Sequence, residues 1–195
     1  MKSSSHDPDE IELASYFTVR DYRRAVAARD QKAIADAIRR RFSERYVFPA
    51  SKSPHRHGFT MMAISCLMVE AFESFRQGWP TSDGQSKAAF CFFFDGSGCF
   101  AELRGHAQQF YKNVRCGILH QAETTGGWTI TRKGRLFDPD TLTVNAALFL
   151  KNLDRVLGEF CDELREGEWD SAGWKNVRKK MDAICANCRK SPHKP

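Results

Sequence analysis

The sequence predicts an all-α domain, a helical bundle carrying one small β-hairpin insertion near residues 128–137. Apolar residues recur at spacings of three and four over several long stretches, the pattern of helices that bury one face. Glycine and proline punctuate the gaps between those stretches. A convincing strand pattern is confined to WTITRKGRLFD, where two short strands are expected around Lys133 and Gly134.

Taken in order, residues 1–9 read as a solvated tail, and Asp30 is placed to cap a helix running to about Phe48. Ile34, Ile38 and Phe42 line one face of that helix, while Arg39, Arg40, Arg41 and Arg45 surround the rest. The stretch 59–78 repeats Met61, Ile64, Met68, Ala71 and Phe75 and stops at Gly78 and Pro80, as a core helix does. Over residues 88–100 the apolar run is broken by Asp95, Gly96, Ser97 and Gly98. Periodicity there does not separate a buried helix with a loop from a hairpin, and the helix is preferred.

Ala107, Phe110, Val114 and Ile118 form the apolar stripe of a helix from about Gly105 to Glu123, ended by Thr124, Thr125, Gly126 and Gly127. A long helix follows through Leu150, Leu153, Leu157, Phe160 and Leu164, and a shorter one from Trp169 to about Cys188. Residues 191–195 read as a second tail. Residues 10–190 are therefore expected to share one core, since 195 residues suffice for one sizeable core and no long linker or repeat divides them.

Composition narrows the class. The chain is 42% hydrophobic and 28% charged, which fits a globular domain and excludes wholesale disorder. Its N-terminus, MKSSSHDPDE, lacks a signal-peptide pattern, and no uninterrupted apolar run reaches the roughly 20 residues of a bilayer span, so a cytoplasmic protein without membrane contact is expected. The seven cysteines are then read as reduced thiols. The net charge of +6 favours a polyanionic partner.

The candidate site lies on helix 105–123. With Val114 facing the core, Lys112, Cys116, Leu119, His120 and Glu123 fall on the opposite side. Arg115 sits on the flank, from which a long guanidinium can reach toward the His120 imidazole. Leucine and cysteine on a face turned from the core suggest that another surface covers it, such as a second copy of the chain.

Arg115 and His120, separated by four residues late in a bundle helix, resemble the Arg-x4–6-His motif of the HEPN superfamily, and the likeness extends over about residues 57–166. The resemblance implies a homodimer that cleaves RNA without a metal at a cleft between protomers, each contributing its Arg and His. HEPN nucleases of this kind serve as toxins or as defence effectors against phage, in some cases with an antitoxin or other partner protein. His120 would then be the general acid and base and Arg115 the phosphate stabiliser, with Lys112 and Asn113 as phosphate or scaffold contacts. The arginine-rich run Arg39, Arg40, Arg41 and Arg45, followed by Lys52 and Arg56, is the candidate track for RNA. A catalytically silent HEPN-like module that binds RNA or a partner protein is the alternative.

Other constellations are weaker. Cys185 and Cys188 have zinc-knuckle spacing and His193 follows, but a second pair is missing nearby and nothing recruits His55 or His57, so neither metal nor cofactor is expected. Cys116 four residues before His120 has the spacing of a thiol and base pair, without an evident oxyanion donor. Asp95-Gly96-Ser97-Gly98 lacks the lysine of a phosphate-binding loop and reads as a turn.

Overall fold

The computed structural model describes residues 7–52 and 57–188, and it is mostly helical with small sheets. Residues 7–9, expected within a solvated tail, take part in local structure. Pro8–Glu10 forms a short turn, Asp7 pairs with Arg20 at 2.9 Å and Asp9 with Arg23. Strands β1 (Glu12–Ala14) and β2 (Phe17–Thr18) then make a hairpin that the sequence did not announce, turning through Tyr16 at φ 60°. These strands are too short to display an alternating pattern.

Helix α1 (Val19–Ala28) starts at a reciprocal cap. The Asp21 backbone N–H donates to Thr18 Oγ1, and the Thr18 N–H donates to the Asp21 carboxylate. Asp30 caps α2 (Gln31–Phe42) by accepting from the Ala33 N–H at 2.9 Å, as its position predicts. The helical path continues through a widened π turn at Ser43–Val47 into α3 (Phe48–Ser51). Pro49, which lacks an N–H, stands just after the widened turn.

Helix α4 (Gly58–Gln77) is the centre of the bundle, packed against α5 (Ser86–Gly96), α8 (Ala146–Glu166) and α9 (Ala172–Cys188). It ends at Gly78 with φ 67°. A Cβ there would stand 2.9 Å from the Asn176 backbone, so glycine serves both the left-handed cap and the approach of α9. By length and composition α4 would suit a bilayer crossing, despite the expectation drawn from uninterrupted runs alone. In this fold most of the helix is buried by the protein, and Glu70 and Glu73 interrupt its apolar surface.

Residues 98–121 are less regular than the single helix expected. Tight turns over Gly98–His106 lead into α6 (Ala107–Phe110), a π turn at Tyr111–Arg115, and α7 (Cys116–Gln121). The apolar stripe still performs its role, since Ala107, Phe110 and Val114 are buried.

The expected hairpin at 128–137 is corrected. Strands β3 (Thr129–Thr131), β4 (Phe137–Asp138) and β5 (Thr143–Asn145) form a three-stranded sheet in which β5 lies between the other two. It runs parallel to β3 and antiparallel to β4. The turn at Gly134 was legible, but the pairing depends on a third strand whose Thr-Val-Asn carries no distinctive period.

Aromatic rings fill the centre. Phe72 meets Phe42, Phe93 and Phe160 edge-on, and Phe110 stacks on Phe149 at 5.5 Å and 10°. Trp128 stacks on Phe137 and turns its edge to Phe110, so the small sheet closes the same core. Because Phe110 is fully buried among these rings, Phe110→Ala is expected to cost about 3–5 kcal/mol, measured as a lowered midpoint of chemical denaturation at unchanged slope.

Candidate functional site

The decisive feature around Arg115 is a buried carboxylate. Glu70 lies on the side of α4 facing the π turn and is 6% exposed, an environment that penalises an ionised group unless it is paired. Arg115 meets it in a fork, with Nε donating to Oε1 at 2.6 Å and Nη2 to Oε2 at 3.2 Å. Ser86 at the start of α5 donates its hydroxyl to Oε2 at 2.6 Å. Three segments are thereby joined at one carboxylate. Burial alone would lower the Arg115 pKa, but the hydrogen bonds and charge of Glu70 outweigh it and hold the guanidinium above its ordinary value.

Around this fork lie Tyr111, Cys66 and Cys116. Burial, with the neighbouring Cys116 thiol as hydrogen-bonding partner, raises the Tyr111 hydroxyl pKa. Cys66 is fully enclosed, and burial followed by the Glu70 charge pushes its thiol well above the ordinary range. The Tyr111 ring also lies beneath the Arg115 guanidinium at 5.7 Å. Arg115 is thus fixed in position and 16% exposed at its side chain.

His120 is placed differently. It is exposed near the end of α7 and makes no hydrogen bond or ion pair among the described residues. Five residues of α-helix separate two side chains by about 140° around the axis, so Arg115 points to α4 and His120 to solvent. The expected swing of the guanidinium toward the imidazole within one chain is therefore absent, because Glu70 engages Nε and Nη2. Cys116 likewise associates with Tyr111 and Arg115 rather than with His120.

Comparison with family models, curated proteins and solved structures gave no match. The site's own geometry therefore carries the functional reading. Lys112 is exposed, while Asn113 ties the following loop to the helix. Its Oδ1 accepts from the Thr125 hydroxyl at 3.0 Å, and its backbone carbonyl accepts from the Thr125 N–H at 2.9 Å. Gly126, at φ 61°, passes so close that a Cβ would stand 2.7 Å from Asn113 Oδ1. Asn113 is a scaffold residue here.

The arginine run does not make one track. Arg39 pairs with Asp154 at 2.6 Å on α8, whereas Arg41 and Arg45 both donate to the Leu13 carbonyl, at 2.6 and 3.3 Å. Burial and the neighbouring Arg45 bring the Arg41 pKa down to about 10. Arg40 alone of the four is exposed without such a contact among the described residues. Arg56, like His55 and His193, lies outside the described residues. Cys185 is buried and Cys188 half-buried, and among the described residues no cluster of three or more potential metal ligands occurs.

Glu70 and Ser86 escaped the sequence reading. A signal was present: Glu70 and Glu73 are the sole charged residues in the largely apolar stretch 59–75, and a charge in a core helix demands a partner. Glu73 is also buried and pairs with Arg76 at 2.9 Å. Removing one member of the Glu70–Arg115 pair strands the other, so Glu70→Ala is expected to destabilise by about 3 kcal/mol. The double variant Glu70→Ala/Arg115→Ala should lose less than the two single losses combined, as measured by a double-mutant cycle in urea.

Proposed function

We propose that this chain is an HEPN-like, metal-independent endoribonuclease that works as a homodimer in the cytoplasm, of the kind employed as a toxin or defence effector. The observation that carries the reading is the pairing, on one helix, of a guanidinium pinned by Glu70 with an exposed imidazole that has no partner among the described residues. One is preorganised and the other is free to move protons. Glu70 takes Nε and Nη2, leaving Nη1 outside the fork.

His120 removes the proton from a ribose 2′-OH, the oxygen attacks the adjacent phosphorus, and the imidazolium so formed returns that proton to the 5′-oxygen of the next nucleotide as the P–O5′ bond breaks. The products are a 2′,3′-cyclic phosphate and a 5′-hydroxyl, so the atoms balance without a metal or water. Arg115 braces charge on the phosphate. Because the two side chains leave the helix in different directions, the Arg115 acting with a given His120 belongs to a second copy. Exposed Leu67 on α4 and Leu119 on α7, 53% and 57% accessible, supply apolar surface for that copy beside the site.

A second reading has its own support. The charge of Arg115 is already balanced by Glu70, which suits an RNA-binding or protein-interaction module as well as a nuclease. Incubation of a mixed RNA pool with chelator distinguishes the two. His120→Ala is expected to lower cleavage by about 10²–10⁴-fold while leaving the fold and the dimer mass unchanged. Wild-type protein that leaves the RNA intact, or a His120→Ala variant that cuts equally well, overturns the nuclease reading in favour of the binding module.

A further inference from the structure

We infer that single-stranded RNA is held in a basic groove running from the end of α7 past the start of α4, rather than along the arginine-rich helix α2. The inference deepens the nuclease reading by naming where the substrate strand lies, but it concerns binding and stands apart from whether the strand is cut.

The groove consists of two adjoining cavities of about 800 and 450 Å³ that share Arg132. The larger opens beside residues 123–133, immediately after the helix that carries His120, and reaches Gly58 and Phe59 at the start of α4. The smaller continues over Phe48, Lys52 and Lys151. Lys52, Arg132, Lys133 and Lys151 are all exposed, and none has a carboxylate partner among the described residues. Many other arginines are neutralised by ion pairs, as are Arg20, Arg39, Arg115 and Arg165. Of the two carboxylates lining the groove, Asp154 is itself paired with Arg39.

Unpaired cations concentrated in a concave surface attract a phosphate chain. Phe48 adds a second character. The residue is 44% exposed and lines the smaller cavity, with the Lys52 ammonium 4.4 Å from its ring centroid. A ring beside a cation is a platform for an unstacked base, which favours a single strand over a duplex and over an acidic protein. The ribose 2′-OH required by the proposed cleavage makes that strand RNA.

The test measures fluorescence anisotropy of a labelled single-stranded RNA with full-length His120→Ala protein, so that binding is read without cleavage. Arg132→Ala/Lys133→Ala is expected to weaken binding about tenfold and to flatten the log–log salt dependence by about 1.4, for two lost phosphate contacts. Because the Arg132 stem packs against Gly58, Lys52→Ala/Lys151→Ala provides a second variant, with a similar loss expected. Lys175→Ala/Lys179→Ala on the outer face of α9 removes the same charge elsewhere and should bind as the parent does. Parent protein that fails to bind RNA, or groove variants that match the α9 control, would refute the groove. A poly-glutamate peptide competing as well as RNA of equal charge would refute it in favour of an acidic protein partner. Cleavage by wild-type protein alongside unaffected groove variants would leave the nuclease reading intact and remove the groove alone.

Discussion

A carboxylate buried on the central helix must find compensation inside the protein, and the arrangement around α4 follows from that requirement. Glu70 is surrounded by elements that bury aromatic and aliphatic side chains, where an unpaired charge costs far more than a typical hydrogen bond returns. Arg115 supplies the charge, and Ser86 a further donor. Joined in this way, α4, the start of α5 and the π turn before α7 hold a definite relative position. The pair contributes geometry more than net stability, since forming it offsets the desolvation of both partners.

That geometry bears directly on chemistry. A guanidinium held by a carboxylate loses reach but gains a fixed orientation, whereas His120, six residues after Val114, is exposed at the surface. In the proposed mechanism, their divergence around the helix axis assigns the two groups acting on one phosphate to different chains. Association of two chains is thus intrinsic to the proposed mechanism. The same helix also leads into the loop at 123–128, which Asn113 and Thr125 hold against it, and from there into the exposed cations of Arg132 and Lys133.

Charge in this molecule is distributed by pairing rather than by number. Arg39, Arg41 and Arg45 are prominent in the sequence, yet they serve α8 and the Leu13 carbonyl. Lys52, Arg132, Lys133 and Lys151 are separated by as many as 99 positions in the chain and share one groove. Clustering along a helix made the first set conspicuous; the second set is electrostatically available because none of its members has a carboxylate partner among the described residues.

The sequence by itself determined the long helices, because their apolar periodicity, the Asp30 cap and the Gly78 stop are local properties of consecutive residues. It also marked Arg115 and His120 as unusual neighbours on one helix. It did not determine the partner of β5, the short β1–β2 hairpin, or the inward turn of Arg115 toward Glu70. Those depend on contacts between segments far apart in the chain, for which no local period exists. Only the tertiary structure decided which arginines are spent within the fold and which cations remain for a ligand, because a charge is neutralised by whatever lies beside it in space.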